Sequence, residues 1–552
     1  MAHFPQSTQW ETSAHSKLLS ASLGLLSHLV LNSGEWDHSS HLVASFWIIT
    51  FGAFGVAEYT LDPNVNSVLG ALMTTSVAAA VYFGALLISI LIYRAFFHRL
   101  RKFPGPFGNR LSKLYNLKNV IPDFRYYEQC EILHKRYNSD YVRTGPRELS
   151  IISADAISAV HGPLSRCRKG PFYSGAKHIE GYSIHTERNR LAHKERRKAW
   201  DHALTAKSLR DYEPRLNRHA YALMDNLKQQ SSKPSVPISE WVNFYSFDAM
   251  GDIGFNRTFG MMEKGKEDEL ITMLHASMAP LSIMGHVNWF GCLVLRTIGS
   301  SDMMEFMGWT SKVLRERKRI EPKEKDIMGH LLDPNDEHIP LHLNADARLL
   351  IVAGSDTTSA TLTWLFYELC KNPSVFKKLQ KIVDDIAPGK SFLDVEDLDN
   401  CPYLDGVVHE ALRLHPAVPS GVQRETPPEG ITLPDQTYIP GETIIWMPPH
   451  VIQRDPRSFP SPLEFMPERW TSEAPEFIAN KRAFITFGHG IYKCVGQKLA
   501  LLELRSVTAN LVRCFDMKFA EGTHGENVLE KTTDSFTIIV GRLDVQLTRR
   551  DL

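Results

Sequence analysis

Residues 483–505 read AFITFGHGIYKCVGQKLALLELR, and this stretch decides the fold. Gly488, Gly490 and Gly496 surround Cys494, and an apolar-periodic helix begins directly after the cysteine. Backbone N–H groups at the start of a helix stabilise a thiolate and donate hydrogen bonds to its sulfur. Glycines let the backbone approach a flat cofactor closely. An isolated intracellular cysteine is usually a buried, inert thiol, so the glycines and the helix are what indicate a functional thiolate here.

The spacing Phe487-x-x-Gly490-x-x-x-Cys494-x-Gly496 matches the haem-binding signature of the cytochrome P-450 family, which this chain resembles over roughly residues 104–545. The resemblance implies a mainly α-helical fold with small β-sheets and one haem b. Cys494 would be the axial ligand of the iron, within a loop that also includes Phe487, Gly488, Gly490 and Gly496. The family usually carries Arg or His two residues before the cysteine, where a haem propionate is held. Tyr492 stands there, and tyrosine can donate a hydrogen bond but brings no charge.

A second motif, Ala353-Gly354-Ser355-Asp356-Thr357-Thr358, lies inside the long apolar helix predicted for Asp346–Cys370. Burying an acid and hydroxyl groups is costly unless they have partners. Taken alone, the motif is a tolerated polar spot or a kink at which Ser and Thr bond back to the helix. The resemblance implies instead that Gly354 leaves room for dioxygen, and that Asp356 and Thr357 relay protons to it.

Basic residues mark two further candidate regions. The helix HKERRKAWDHAL (residues 193–204) is, by itself, an ordinary solvated charged face. The resemblance implies that His193 and Arg197, one helical turn apart, and Arg424 bind the haem propionates. Four lysines would add a positive surface for an acidic electron donor, namely Lys194, Lys198, Lys493 and Lys498.

A carboxylate and a guanidinium occupy i, i+3 positions in Glu410-Ala411-Leu412-Arg413. Pairs at this spacing are common on helix surfaces and contribute little. Because FMPERW (residues 465–470) comes after it at the family's spacing, the resemblance implies a buried triad of Glu410, Arg413 and Arg469. The triad would stabilise the core on the haem side and take no part in catalysis.

The first hundred residues form a separate region. No Asp, Glu, Lys or Arg occurs between Pro63 and Tyr93, and residues 67–93 are long enough for a helix that crosses a bilayer of about 30 Å. Leu18–Leu31 and Leu42–Val56 are shorter apolar runs, so one to three transmembrane helices are expected. Basic residues within 94–102 favour a cytosolic location for the domain after them. We therefore expect a membrane anchor (1–102), a Pro/Gly hinge (103–108) and a cytosolic catalytic domain (109–552) at the endoplasmic reticulum.

The charge balance and the cysteine spacing argue against several classes of protein. Lys+Arg and Asp+Glu are equal at 62 each, which argues against a protein that binds nucleic acid through its overall charge. Seven cysteines without a C-x-x-C pair argue against zinc ribbons, thioredoxin-like motifs and ferredoxin-type clusters. Helices are predicted at Arg188–Leu209 and Asp211–Gln230. Short strands are predicted within residues 141–142, 150–152, 437–439, 443–446 and 537–540.

The resemblance implies a haem-thiolate monooxygenase that takes electrons from NADPH through a separate, membrane-bound cytochrome P-450 reductase. No Gly-x-Gly-x-x-Gly opens a βαβ unit, so the chain has no nicotinamide or flavin fingerprint of its own. The alternatives are an isomerase, dehydratase or ring-forming oxidase on the same fold, a haem sensor, and a structural membrane protein. Lys169–Tyr173 (KGPFY) and the form of the cysteine loop resemble members of filamentous fungi that act in secondary metabolism. An apolar substrate is expected, an indole alkaloid, terpenoid or polyketide, in a pocket lined in part by Met273–Trp289.

Overall fold

The structure, a computed structural model, describes residues 7–62, 65, 67–121, 123–175, 181–278, 285–297, 301–333, 335–336 and 338–550. Within these ranges the helices are α1 (Ser7–Leu31), α2 (Ser40–Leu61), α3 (Val68–Ile92), α4 (Phe107–Leu111), α5 (Lys113–Val120), α6 (Tyr126–Tyr137), α7 (Ile157–His161), α8 (Arg190–Ala203), α9 (Ala206–Gln230), α10 (Ile238–Phe255), α11 (Met261–Lys264), α12 (Glu269–Met278), α13 (Asn288–Thr297), α14 (Ser301–Lys318), α15 (Ile327–Leu331), α16 (Leu341–Lys371), α17 (Pro373–Ile386), α18 (Pro402–Leu414), α19 (Pro449–Ile452), α20 (Gln497–Cys514) and α21 (Glu526–Lys531).

The strands are short and come mostly from the second half of the chain. They are β1 (Tyr141–Gly145), β2 (Glu148–Ile151), β3 (Arg168–Lys169), β4 (Val236–Pro237), β5 (Arg424–Glu425), β6 (Ile431–Thr432), β7 (Tyr438–Ile439), β8 (Ile444–Trp446), β9 (Phe515–Phe519), β10 (Thr533–Ser535), β11 (Thr537–Ile539) and β12 (Asp544–Arg549). The predicted class, mainly helical with small sheets, is confirmed.

The described chain divides into two compact units, and the smaller one contains the N-terminal helices. It falls within Met1–Asn116, Arg143–Arg147 and His286–Gly299. Among the described helices, the segments Asp37–Leu61 and Val68–Phe97 are long and apolar enough to cross a membrane. The Tyr82 hydroxyl joins the helices of this unit, because it lies 2.6 Å from Ser27 Oγ and accepts a hydrogen bond from Trp47 Nε1 at 3.0 Å.

Helix α13 belongs to this N-terminal unit although it comes late in the chain. Cys292 Sγ lies 3.4 Å from His38 Nδ1, and Arg296 Nη1 donates to His41 Nδ1 at 2.7 Å. The Pro104 carbonyl, in the predicted hinge, accepts a hydrogen bond from the Arg143 N–H at 2.7 Å. The unit is therefore assembled from three separate stretches of sequence.

The larger unit contains the main hydrophobic core, and α16 runs through it. At 31 residues this helix is about 46 Å long, and nearly all of its residues from Ser355 to Cys370 are buried. Two of its hydroxyl groups are satisfied inside the helix, since Thr361 and Thr363 donate to the carbonyl groups four residues earlier at 2.7 and 2.8 Å. The predicted Asp346–Cys370 helix is confirmed and is somewhat longer than expected.

The predicted helix Arg188–Leu209 is wrong in its extent, because the chain forms two helices here. Asn189 caps α8 by accepting hydrogen bonds from two backbone N–H groups of the first turn, at 3.0 and 3.1 Å. Thr205 then caps α9 by accepting from the Ser208 N–H at 3.2 Å. A threonine that caps a new helix competes with continuation of the old one, and this ends α8 at Ala203.

The predicted triad forms in the core next to α18 and is confirmed as a buried network. Arg413 contacts both Glu410 carboxylate oxygens at 2.8 Å, and Arg469 Nε contacts Oε1 at 2.9 Å. Trp470 Nε1 donates to Glu410 Oε2 at 2.8 Å, and all three charged side chains are fully buried. The single carboxylate is thus saturated with donors, as a buried charge requires.

Candidate active site

The loop that carries Cys494 is a tight turn fixed by its own backbone. The Cys494 N–H donates to the Phe487 carbonyl at 2.8 Å. Gly488 and Gly490 adopt φ values of 70° and 68°, which side chains of L-residues rarely tolerate. A Cβ atom at Gly490 would also collide with the His161 carbonyl at the end of α7. The glycines at these two positions are therefore required by geometry.

Helix α20 begins just after the cysteine, at Gln497, with Gly496 at its N-cap. Burial raises the pKa of the Cys494 thiol, while hydrogen bonds from the backbone N–H groups of Gly496 and Gln497 and the nearby Arg197 act in the opposite direction. The expected donors from the helix start are thus present at the sulfur. The effect of burial is the larger one.

Cys494 lies deep in the protein, yet its side chain is exposed to solvent. Ala353, midway along α16, is exposed in the same way although Ser355 and Asp356 beside it are buried. A residue that is both deep and accessible lines an internal cavity. Open space therefore lies next to the cysteine loop and next to the middle of α16.

The acid–alcohol pair occupies the same part of α16, with its two side chains in different environments. Thr357 is partly exposed and its hydroxyl donates to the Ala353 carbonyl at 2.8 Å. Asp356 is buried, and its Oδ1 lies 3.1 Å from His275 Nε2 on α12. Its second oxygen, Oδ2, has no hydrogen-bond partner among the described residues.

The space predicted beside Gly354 is filled, which corrects one expectation. A Cβ atom at Gly354 would collide with the thioether of Met250 on α10. The glycine therefore serves the close packing of α10 against α16. The accessible positions on this part of the helix are Ala353 and Thr357.

Cationic side chains meet at a two-residue ladder between β3 and β5. The register pairs Arg168 with Glu425, where Arg168 Nε contacts the carboxylate at 2.8 Å. The next pair, Lys169 opposite Arg424, places two cations side by side, and both are at least 96% buried. Like charges directly opposite each other destabilise a sheet. The second pair therefore needs an anion that the ladder itself does not supply.

Tyr492 belongs to the cysteine loop and contacts these cations. Its ring centroid is 4.6 Å from Lys169 Nζ, 4.9 Å from Arg424 Cζ and 4.8 Å from the His193 ring. The ring face attracts both cations but does not neutralise them. Tyr492 thus occupies the position of the family's usual basic residue and is in contact with the basic residues of other elements.

The electrostatics of this cluster result from burial among like charges. Burial, together with Arg424, lowers the pKa of Lys169 to about 6. Burial, together with Lys169 and the neighbouring arginines, lowers the pKa of His193 to about 3. The His185 ring packs against Tyr173, and burial together with Lys169 lowers the pKa of His185 to about 3. Burial disfavours the positive charge of each group, and the neighbouring basic residues add to this effect.

The cluster fits the carboxylates of a haem. Lys169 donates to the Ile184 carbonyl at 2.9 Å, and Arg424 Nε is buried without a partner. Neither side chain forms an ion pair among the described residues. Trp200 Nε1 on α8 is likewise buried and unpartnered within the described part of the chain. The haem carboxylates would accept hydrogen bonds from these donors. The porphyrin ring would bind in the open space next to Cys494.

Arg197, expected at the same site, is in contact with the cysteine loop. Its Nη1 donates to the Lys493 carbonyl at 2.8 Å, and its Nε pairs with Asp201 at 2.8 Å. Arg196 turns the other way and pairs with Asp346 of α16 at 2.7 Å. The four lysines predicted to form a positive surface (Lys194, Lys198, Lys493 and Lys498) are all exposed.

Lys169 and His275 are site residues that the sequence patterns did not reveal. For Lys169 the usable signal was a lysine directly before a glycine, a proline and two aromatic residues. His275 lies in the segment Met273–Trp289, which the sequence predicts to be an apolar pocket wall. Leu274 and Met278 are buried, and His275 between them forms two ion pairs. The role of this segment as a pocket wall stays a prediction. Residues 279–284 of that segment lie outside the described residues.

The comparisons with known proteins agree with this geometry. The family model described as Cytochrome P-450 matches residues 105–547. The chain is 36% identical to cytochrome P-450 monooxygenase FCK2 of Fusarium pseudograminearum, over 96% of each chain. It is 33% identical to tryprostatin B 6-hydroxylase of Neosartorya fischeri, over 89% of each chain. The crystal structure of the cytochrome P450DA haem domain has the same fold, with a TM-score of 0.67 at 17% identity, covering 78% of this chain and 95% of that one.

These matches span nearly the whole of the larger unit, including the cysteine loop, the acid–alcohol motif and the basic ladder. The chain therefore belongs to the cytochrome P-450 family and is a haem-dependent monooxygenase.

Proposed function

We propose that this monooxygenase hydroxylates an apolar small molecule of fungal secondary metabolism, with an indole alkaloid as the leading substrate class and a terpenoid or polyketide as alternatives. The observation that carries the reaction type is the joint presence of the accessible Cys494 thiol and of the Asp356–Thr357 pair on the accessible stretch of α16. The substrate class is supported by the relatives from Neosartorya fischeri and Aspergillus fumigatus, both named tryprostatin B 6-hydroxylase.

In the proposed site, the Cys494 thiolate holds the haem iron. His193, Arg197 and Arg424 hold the propionates, as expected from the sequence, and Lys169 joins them. When bound, the haem supplies the activation of dioxygen, for which it needs two electrons and two protons. The electrons come from NADPH through a separate cytochrome P-450 reductase, which binds the surface formed by the four exposed lysines.

The protein's own contribution is to position the cofactor and to move protons. Backbone N–H groups of Gly496 and Gln497 orient the sulfur and keep electron density on it. Thr357 faces the cavity with a hydroxyl that can exchange its Ala353 carbonyl partner for water or dioxygen. Asp356, the residue before Thr357, is buried and supplies protons to the Thr357 hydroxyl. In this scheme the protons reach the site through these positioned groups.

For localisation, we infer that residues 1–102 anchor the protein in the endoplasmic reticulum membrane, with 103–108 as the hinge and 109–552 in the cytosol. The two apolar helical segments, which are largely exposed in the structure, support a membrane anchor. The basic residues directly after the second segment support the orientation.

The test is a reconstituted reaction of the full-length protein with reductase, NADPH and isotopically labelled dioxygen, with tryprostatin B as the first probe and a simple terpenoid and an aromatic polyketide as others. We expect a product that carries one labelled oxygen atom and forms only with NADPH. A product formed without NADPH would indicate an isomerase or dehydratase. An NADPH-dependent product without labelled oxygen would indicate a ring-forming oxidase.

A further inference from the structure

His275 on α12 connects the buried acid of the site to a second carboxylate closer to the surface. Its Nε2 lies 3.1 Å from Asp356 Oδ1, and its Nδ1 lies 3.0 Å from Glu267 Oε1. The exposed fraction of the side chain rises along this series, from 7% for Asp356 to 23% for His275 and 31% for Glu267. The three groups form a continuous path from the interior to solvent.

The two carboxylates favour the protonated form of the imidazole between them. Burial alone would lower the pKa of His275, but the hydrogen bonds to Asp356 and Glu267 outweigh it and raise the pKa to about 10. The Phe247 ring, 5.9 Å away, packs against the imidazole without competing for its protons. Thr272 Oγ1 donates to Glu267 Oε2 at 2.6 Å and fixes the outer carboxylate. Both ring nitrogens therefore act as donors, each toward a defined acceptor.

Asp356 can receive a proton on one side and release it on the other. Its Oδ1 faces His275, whereas Oδ2 is buried without a partner among the described residues. A buried, unpartnered carboxylate oxygen is costly, so a static structural role leaves this atom unexplained. The next residue, Thr357, has its hydroxyl on the accessible part of the helix.

We propose that Glu267 and His275 form the route by which protons enter the active site and reach Asp356. His275 gives its Nε2 proton to Asp356 and becomes a neutral imidazole that keeps its proton on Nδ1. Rotation of the ring about the Cβ–Cγ bond then turns the bare nitrogen toward Glu267, which protonates it and is itself reprotonated from solvent, and the ring returns. One proton moves inward in each cycle, and no bond to carbon and no electron is involved. His275 and Glu267 act through Asp356 and are positioning residues in this scheme, which rests on the proposed oxygenase function.

The test compares His275→Gln, His275→Lys and Glu267→Gln in the full-length haem protein. His275→Lys keeps a positive charge opposite Asp356 but lacks the second ring nitrogen, so it separates a relay from a simple ion pair. His219→Gln is the matched control, because His219 Nε2 pairs with Asp252 at 2.9 Å in a similarly buried position that has no part in the site. Tryprostatin B is the probe, and each protein is first checked for haem content and for its carbon monoxide spectrum.

Two oxidants are then compared for each protein. Reductase with NADPH requires proton delivery, whereas added hydrogen peroxide supplies oxygen that is already reduced and protonated. We expect His275→Gln and His275→Lys to lower the NADPH-driven rate by about 10²-fold, the low end of the effect of a positioned proton donor, and to increase its solvent isotope effect. Glu267→Gln should lower the rate to a smaller extent, and all three should keep the parent's peroxide-driven rate.

Parent-like NADPH-driven turnover in His275→Lys would overturn the relay and leave an ion pair that orients Asp356. Equal losses with both oxidants would also overturn it, since the residue would then be needed for the structure of the site. Failure of the proposed function would show separately, as absence of product from the parent protein with either oxidant.

Discussion

Lys169 shows at the scale of one residue how the sheet register creates a site for an anion. The ladder between β3 and β5 places it opposite Arg424, and neither forms an ion pair with a carboxylate among the described residues. Burial, together with the charge of Arg424, disfavours the charged form of Lys169 and lowers its pKa to about 6. An anion bound next to Lys169 raises this pKa, so binding takes up a proton in the pH range between about 6 and the raised value.

The first prediction concerns Lys169→Met. Because a hydrogen bond to a charged group contributes about 1.5–3 kcal/mol, haem should leave this variant roughly 10- to 100-fold faster than the parent. The measurement is the rate of haem transfer to an excess of apomyoglobin. Lys498→Met, at an exposed lysine, is the control and should match the parent.

The same prediction fixes the direction in which haem retention changes with pH. Haem binding takes up a proton at Lys169 above pH 6, so haem retention in the parent should weaken as the pH rises from about 7 to 9. Lys169→Met should lose most of this dependence. A variant that keeps both the parent's transfer rate and its pH dependence would show that Lys169 does not bind the propionates.

At the scale of elements, α18 depends on the buried triad more than on its helix propensity. Glu410 accepts from Arg413, Arg469, Trp470 and the Met466 N–H, so one carboxylate joins α18 to the segment around residues 466–470. Removal of that charge leaves two buried guanidinium groups with too few acceptors. This is the situation in which loss of one partner of a buried ion pair is strongly destabilising.

The second prediction is therefore that Glu410→Gln lowers the free energy of unfolding by about 3–5 kcal/mol. The measurement is the denaturant midpoint of the haem Soret signal in detergent. Glu316→Gln is the matched control, because its pair with Arg257 at 2.8 Å is about half exposed and should change stability by only about 0–1 kcal/mol. Similar losses in both variants would contradict a special role for the triad.

The elements also show what the sequence could and could not predict. The cysteine loop and the long helix α16 are predictable from local patterns, because their residue types are constrained over a few positions. The triad follows only from the resemblance to the family, because Arg469 is 59 residues from Glu410. The partners of the site residues come from distant segments. His275 is 81 residues from Asp356, and Lys169 meets Arg424 only through the register of two short strands. Neither contact produces a periodic pattern in the sequence, so both are visible only in the folded structure.

At the scale of the whole molecule, the N-terminal helices and the catalytic body belong to distinct compact units. The N-terminal unit includes α13, which is held by His38 and His41 next to α2. Residues that lie far along the chain thus pack with the proposed anchor, so the anchor contributes to structure as well as to localisation.

The third prediction addresses the orientation of the chain in the membrane. Protease added to sealed microsomes should digest residues 109–552, because the basic residues within 94–102 keep the catalytic domain on the cytosolic side. A lumenal marker protein, protected until detergent is added, is the control. Protection of the catalytic domain in sealed vesicles would place it in the lumen and contradict the proposed topology.

Cys494 as the thiolate ligand of the haem is the assignment on which every other role around the cavity depends. The most direct measurement is the absorption spectrum of the purified full-length protein, reduced and exposed to carbon monoxide, for the parent and for Cys494→Ser. The parent should show the strongly red-shifted Soret band of thiolate ligation, and Cys494→Ser should lose that band and its activity together. A red-shifted band that persists in Cys494→Ser, or an unshifted band in a fully haem-loaded parent, would contradict the assignment.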